Sequence, residues 1–343
     1  MTVTTPVLRD YLARLERELP FGKQEKRAIL LEAEDHLIED AARDEASGMG
    51  VDEAERRATR RFGDPQVLAR RFAEERAPAI ELRGVTKRFL TPAGTAYTAL
   101  RDLNLSVNVG EFCAIVGPTG CGKSTTLALI SGLEPPSEGE VLVDAEPVKG
   151  VSKAVGYVFQ VDAVFPWKNV LDNVATGPRL RGVESGEANR LARDWISRVG
   201  LAGFERYYPH QLSGGMRKRA ALAQTLINEP RILLMDEPFS ALDVQTRALM
   251  EDELLDLWSS TSASVVFVTH DLEEAIALSD RVCVMTAGPG TVKGIYTIDL
   301  PRPRHVAEIR FEPRFVELYR DIWDNLRDEV LLSYERAKAN AGA

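Results

Sequence analysis

The apolar residues of the first seventy-odd positions recur at helical spacing. Leu8, Leu12, Leu15 and Leu19 form one stripe, which Pro20-Phe21-Gly22 should stop. Ile29, Leu30, Ala33, Leu37 and Ala41 form a second, ending near Gly48-Met49-Gly50. Asp52, with Glu55 three residues on, reads as a capping box opening a third helix. Gly63 should close that helix, and Asp64-Pro65 should open a fourth through Val67, Leu68 and Phe72. The opposite faces carry dense alternating charge, the mark of a solvated surface. Residues 1–77 therefore predict a small all-α domain, with Ala77-Pro78 as its junction.

Beyond Pro78 the period changes. Ile80-Glu81-Leu82-Arg83 and Leu103-Asn104-Leu105-Ser106-Val107 alternate as half-buried strands do. Phe112–Val116, Val155–Gln160, Ile232–Met235 and Val265–Thr269 are short apolar runs that predict strands, the first, third and fourth buried on both faces. Thr125–Ile130 and most of 184–230 read as helix. Strands alternating with helices predict an α/β fold with a mainly parallel sheet covered on both faces. In the tail, Phe315, Leu318, Tyr319, Ile322, Trp323, Leu326 and Val330 share one helical face, predicting a helix over 305–343 that packs on the main domain. Ala337–Ala343 is expected to fray.

Composition narrows the classes. The chain has 343 residues, 44% hydrophobic and 28% charged, which suits a globular protein of two or three domains. A net charge of −9 argues against a nucleic-acid partner, which needs a clustered excess of Lys and Arg. No apolar run approaches the roughly 18–20 residues of a spanning helix. Met1-Thr2-Val3-Thr4-Thr5-Pro6 lacks the basic start and apolar core of a secretory signal. Cys113, Cys121 and Cys283 show no metal-ligand spacing and read as reduced thiols.

Two segments carry chemistry. Gly117-Pro118-Thr119-Gly120-Cys121-Gly122-Lys123-Ser124-Thr125 contains G-x-x-x-x-G-K-[ST] between a predicted strand and a predicted helix. Glycines there let backbone N–H groups turn toward phosphate oxygens, and the helix points its positive end at the same place. Lys123 is placed to reach the β- and γ-phosphates, and the Ser124 hydroxyl to ligate Mg²⁺. Asp236 and Glu237 end an apolar strand. One carboxylate there can hold the Mg²⁺ shell through water, and its neighbour can act as general base on an attacking water.

With Leu212-Ser213-Gly214-Gly215-Met216 lying between those segments, residues 79–300 resemble the ATPase subunit of ABC transporters. The resemblance implies a P-loop NTPase domain over 78–304. It would combine a parallel sheet core, an antiparallel β subdomain and a helical subdomain at about 161–230. Gln160 resembles the Q-loop glutamine that senses Mg²⁺ and the attacking water, Asp243 lies in a D-loop-like Ser240-Ala241-Leu242-Asp243, and His270 resembles the switch histidine at the γ-phosphate. Phe89 falls where the family stacks an aromatic on adenine; a core strand position is its other reading, and Tyr97 is the alternative aromatic. Ser213, Gly214 and Gly215 would form a second anion-binding nest, completing the ATP site held by a second copy's Lys123. ATP and Mg²⁺ are the implied ligands, and a head-to-tail, ATP-dependent dimer the implied assembly.

DEPFSALDVQTR (Asp236–Arg247), FPWKNVLDNV (Phe165–Val174), YPHQLSGGMRKRAALAQ (Tyr208–Gln224) and Asp299-Leu300-Pro301-Arg302-Pro303-Arg304 resemble the nitrate, taurine and aliphatic-sulfonate importer branch. Met216 is typical of that branch, whereas Gln224 departs from an Arg common there. The branch implies membrane permease partners, a solute-binding protein acting indirectly, a small anion as solute, and a place on the cytoplasmic face of the plasma membrane. Phe165, Pro166 and Trp167 would line a groove for a permease helix; Trp167 packing inside the helical subdomain is the other reading. Tyr11-Leu12, Leu15-Glu16, Glu34, His36-Leu37 and Gly63-Asp64-Pro65 resemble a helical prefix of some bacterial membrane-protein subunits, implying a regulatory or docking module. His36 among Glu32, Glu34, Asp35 and Glu39 reads as a solvated acidic face in preference to a metal site. A soluble ABC ATPase of repair or translation would need long coiled coils or tandem cassettes. A non-catalytic sensor would not need Lys123, Asp236, Glu237 and His270 together.

Overall fold

A computed structural model describes residues 6–19, 23–69, 78–91, 94–261 and 263–341. The chain divides into two units, Met1–Ala77 and Pro78–Ala343.

The first unit contains α1 (Pro6–Glu18), α2 (Lys23–Ala46) and α3 (Val51–Phe62), followed by α4, of which 65–69 are described; Phe72, expected on this fourth helix, lies outside the described residues. The expected stripes are its core. Leu8, Leu37 and Ala41 are buried in one cluster with Ala54 and Ala58 of α3, and Leu15, Leu19, Ile29 and Ala33 in a second with Ala69 of α4; Leu12 and Leu30 are half-buried. Small residues on α3 let the helices approach closely. Tyr11 donates its hydroxyl to Gly63 O at 2.7 Å, fixing α1 on the end of α3. Asp52 does not cap α3: Gly50 is the N-cap, and Asp52 lies in the first turn, where its charge favours the helix dipole. Gly63 does close α3, in a left-handed conformation (φ 111°), and Asp64 Oδ1 accepts the Gln66 N–H at 2.8 Å to open α4. The stop expected at Pro20-Phe21-Gly22 lies outside the described residues. His36 is exposed on α2.

The second unit opens with β1 (Ile80–Leu90), β2 (Ala96–Val107), β3 (Phe112–Val116) and α5 (Lys123–Ile130). There follow β4 (Glu138–Val143), β5 (Glu146–Pro147), β6 (Val155–Val158), α6 (Val170–Val174), α7 (Thr176–Leu180), α8 (Ser185–Arg198) and α9 (Gly214–Leu226). The remainder is β7 (Ile232–Asp236), α10 (Val244–Ser259), β8 (Ser264–Val268), α11 (Leu272–Leu278), β9 (Arg281–Met285), β10 (Val292–Thr297), α12 (Val306–Ile309) and α13 (Pro313–Ala341). A six-stranded sheet has the order β10-β9-β3-β8-β7-β6, parallel except at the β9–β10 edge. A four-stranded antiparallel sheet, β2-β1-β4-β5, adjoins it. β3 and β8 are buried at every position, as strands covered on both faces should be. Phe112, Phe239 and Phe267 fill one side of the large sheet; Ile115, Leu127, Ile130 and Val268 fill the other, beneath the small sheet.

Register decides where the chemistry goes. Ile115 pairs with Val268, Val268 with Asp236, and Met235 with Val158. The loops leaving β3, β8, β7 and β6 therefore emerge at one end of the sheet, the carboxyl edge where open α/β sheets place their ligands.

The single helix expected over 305–343 is two, α12 and α13, and its apolar face differs from the expected one. Phe315, Leu318, Ile322 and Leu326 are buried, but Trp323 and Val330 are more than a third exposed, so the apolar face is narrower than the periodicity implied. The helix runs to Ala341 where fraying was expected from Ala337. Arg304 anchors the start of this segment. Its guanidinium is buried and donates to the carbonyls of Ile276, Ala277, Ser279, Ile298 and Leu300. Burial pushes its pKa down to about 10, which leaves it charged near neutrality. Among the described residues, no helix is long and apolar enough to cross a membrane.

Candidate functional site

The loop between β3 and α5 is shaped by its glycines. Gly122 caps α5 with φ 99°, and a Cβ there would come within 2.5 Å of Leu100 Cδ2 and 3.1 Å of Ala99 O. No side chain fits, so the backbone can wrap toward the helix end. Lys123 folds back over the loop, Nζ donating to Gly117 O at 2.8 Å and Pro118 O at 3.3 Å. A cation held by carbonyls of its own loop is ready to exchange them for phosphate oxygens. Cys121 points the other way: its thiol is buried in the core, and burial raises its pKa.

The acidic strand end is held from three sides. Ser124 Oγ donates to Asp236 Oδ1 at 3.0 Å, and Tyr157 of β6 offers its hydroxyl to Asp236 Oδ2 at 3.4 Å. Burial raises the Asp236 pKa and the charge of Glu237 adds to it, against the opposing hydrogen bonds from Ser124 and Tyr157. Glu237 takes a left-handed backbone (φ 43°), a conformation costing about 1–3 kcal/mol for a residue with a side chain. Its N–H is held by Val268 O at 2.9 Å. The turn aims its carboxylate at the neighbouring loops: His270 Nδ1 lies 2.9 Å from Oε2, and Gln160 Nε2 donates to the same oxygen at 3.5 Å.

These groups line one cleft of about 570 Å³, with Phe89, Tyr97, Ala99, Thr119, Gly120, Gly122, Lys123, Ser124, Thr125, Gln160, Glu237 and His270 on its walls. Phe89 and Tyr97 are register partners on β1 and β2, so both aromatics reach it; Tyr97 is the more exposed. Ser213, Gly214, Gly215 and Asp243 are not on its walls. They gather elsewhere: Ser213 caps α9 by accepting the Met216 N–H at 3.3 Å, and Asp243 caps α10 by accepting that of Thr246 at 3.0 Å. A Cβ on Gly215 would lie 3.2 Å from Thr246 Cγ2, and one on Gly214 4.0 Å from Leu242 Cδ2, so the two helix starts are neighbours. One chain thus presents a cleft with a lysine and carboxylates, and a separate face with two helix N-termini.

Sequence reasoning missed the side chains that join these parts. Lys218 of α9 is buried; its Nζ donates to Gln160 O at 2.7 Å and pairs with Asp162 Oδ1 at 3.0 Å. Arg217 pairs with Asp162 Oδ2 at 3.3 Å and donates to Leu212 O at 2.8 Å. The loop after Gln160 is thereby fastened to the helix that Ser213 begins. A second groove of about 310 Å³ has Phe159, Phe165, Leu180, Gln224 and Asn228 among its lining. Phe165 is in it, Trp167 is 71% exposed, and Gln224, the departure from Arg, faces it.

A family model described as ABC transporter matches residues 100–240, and one described as HAAS matches residues 10–71. An uncharacterised ABC transporter ATP-binding protein of Methanocaldococcus jannaschii is 49% identical over 240 residues, 70% of this chain and 88% of the relative. A taurine import ATP-binding protein of Burkholderia thailandensis is 42% identical over 239 residues (68% and 92%). An aliphatic sulfonates import ATP-binding protein of Bacillus cereus is 37% identical over 257 residues (75% and 96%). A solved ATP-binding cassette, dimeric and bound to ADP and Pi in a post-hydrolysis state, superposes with a TM-score of 0.58 at 31% identity, covering 65% of this chain and all of that one.

Proposed function

The chain belongs to the ABC transporter ATP-binding family, and from that premise we propose that it is the ATP-hydrolysing subunit of an importer for a small anion. The observation that carries this reading is the separation just described. Lys123, Ser124, Gln160, Glu237 and His270 share a cleft, while Ser213, Gly214, Gly215 and Asp243 stand on another face. A cleft open on one side and a nest with no anion of its own are complementary halves, so a second copy facing head to tail would complete two sites.

In the completed site ATP lies with adenine against Phe89 or Tyr97 and its phosphates in the Gly117–Thr125 loop. Lys123 exchanges its loop carbonyls for phosphate oxygens. Ser124 and Asp236, whose oxygens converge to 3.0 Å, are hard donors that would hold Mg²⁺, with Gln160 on the wall of the same cleft. When bound, the ion would neutralise charge on the phosphate oxygens. Glu237 removes a proton from the attacking water as its oxygen bonds to the γ-phosphorus, and the bond to the β-phosphate oxygen breaks, leaving ADP and Pi. His270 fixes the Glu237 carboxylate through Oε2 and faces the γ-phosphate. The nest at Ser213 stabilises that phosphate from the second copy. Loss of the γ-phosphate removes the shared anion and releases the pair.

The groove lined by Phe165 and Gln224 is the docking place for a membrane permease, which locates the subunit on the cytoplasmic face of the membrane. A solute-binding protein acts indirectly. The names of the taurine and aliphatic sulfonates import relatives support a small sulfonate-like solute, and nitrate is the other small anion of the proposal. Residues 1–77 form a regulatory or docking domain, 78–304 the ATPase domain with its helical part near 161–230, and 305–343 a C-terminal helical extension. The test is steady-state ATP hydrolysis by the purified chain, then uptake of taurine, an alkanesulfonate and nitrate by vesicles containing the chain with a permease that co-purifies with it. Hydrolysis without uptake dependent on the chain would favour an ABC ATPase not coupled to transport.

A further inference from the structure

The loop that carries Asp243 and the loop that carries His270 are joined by one side chain that none of the readings above uses. Arg247, in the first turn of α10, donates from Nη2 to Leu242 O at 3.2 Å and from Nη1 to Asp271 Oδ2 at 3.1 Å, with Glu274 Oε1 3.4 Å from Nη1. Glu274 is buried, and its other oxygen accepts the Thr269 hydroxyl at 2.6 Å. The Thr269 oxygen in turn accepts the Asp271 N–H at 3.0 Å. The guanidinium therefore grips both residues that flank His270: Asp271 directly, and Thr269 through Glu274. A planar fork with several fixed N–H groups can bridge a carbonyl and two carboxylates at once, which a point charge does poorly.

The two ends of this bridge face different ways. Leu242 precedes Asp243 and lies against Gly214, and Thr246, adjacent to Arg247, lies against Gly215. That end belongs to the face with two helix N-termini. At the other end, His270 sits in the cleft with Nδ1 2.9 Å from Glu237. A displacement of the outer face acts on Leu242 O, and through Arg247 on the segment that sets the His270 ring.

We propose that Arg247 is a positioning residue that makes hydrolysis in its own chain's cleft depend on a second copy closing over the Ser213 and Asp243 face. This rests on the two-copy reading of the site. Arg247 touches neither nucleotide nor reacting atoms; it acts by holding Asp271 and Glu274, and so His270, in register with Leu242.

The test uses the full chain. Arg247→Met should lower kcat about tenfold or more while leaving KM for ATP and the affinity for a fluorescent ATP analogue within about twofold. In the Glu237→Gln background it should still form the ATP-dependent dimer, because the nest and Asp243 are untouched. Arg247→Lys should recover only part of kcat. Asp271→Asn, which keeps the cap on α11 but removes the charge, should show the same split and serves if Arg247→Met does not fold. Unaltered kcat in a folded variant overturns the inference, as does a loss of kcat, ATP affinity and dimerisation in equal measure. Absence of hydrolysis by the unaltered chain would overturn the underlying two-copy reading as well, whereas hydrolysis retained by the variants overturns this inference alone.

Discussion

His270 holds its Nδ1 2.9 Å from Oε2 of Glu237, and Gln160 reaches the same oxygen from a different strand end. One carboxylate oxygen is tied by two loops, which leaves the other free to meet a water. Glu237→Gln keeps the shape and removes the basicity. Its kcat should fall by about 10²–10⁴-fold while nucleotide binding persists, checked by phosphate release beside equilibrium binding.

The Lys218–Asp162 pair should be costly to break. Lys218→Met strips the cation from Gln160 O and from a mostly buried carboxylate. The expected loss is about 2–3 kcal/mol, below the full penalty of an orphaned buried charge because Arg217 still pairs with Asp162. Urea denaturation measures it, and a change under about 0.5 kcal/mol would show that the pair does not hold the loop.

Glu251 supplies a pH dependence. It is fully buried on α10, both oxygens lack a hydrogen bond, and Arg310 stands 3.5 Å away. Burial foremost, with Glu274 and Asp271 adding to it, pushes its pKa up to about 8; Arg310 and Arg247 oppose the rise. A carboxyl with a raised folded pKa keeps its proton in the native state and loses it in the unfolded one. Its stabilising effect is complete below the unfolded value near 4.5 and is lost as pH rises toward about 8. Glu251→Gln cannot ionise, so its Tm relative to the unaltered chain should climb between pH 5 and pH 9, by the equivalent of a few kcal/mol. A constant Tm difference across that range would mean the carboxyl is not protonated in the fold.

Removing residues 1–77 should leave ATP binding by the second unit intact and change transport or assembly with the permease. The second unit has its own sheets and core, and among the described residues none of their strands comes from the first. Equilibrium binding of ATP to the truncated chain checks this, and a loss of binding would make the helical unit part of the ATP site.

What could be read in advance was local. Phe112–Val116 and Val265–Val268 are unbroken apolar runs because parallel strands are buried on both faces, and the glycine-rich loop is legible because its backbone geometry needs glycine. Gly63 was legible as a helix end for the same reason. Asp52 misled because aspartate is at home both at an N-cap and in a first turn, and only the structure shows that Gly50 takes the cap. Trp323 and Val330 follow the helical period of α13 yet stay exposed, since periodicity does not reveal how wide a partner surface is. β4, β5, β9 and β10 were not foreseen: the exposed or mixed burial of β4, β5 and β10 gives weak alternation, whereas β9 is a buried apolar run, Val282–Met285, that was there to be read. Tyr157, Lys218 and Arg247 were missed because each meets its partners across separate strands and helices, a relation no spacing encodes.

The central claim is that Ser213 completes a site on another copy. Light scattering on Glu237→Gln with ATP and Mg²⁺ tests it most directly. The prediction is a species of twice the 38.0 kDa chain mass, which returns to 38.0 kDa when Ser213→Arg is added. A dimer that forms without ATP, or that survives Ser213→Arg unchanged, would contradict it.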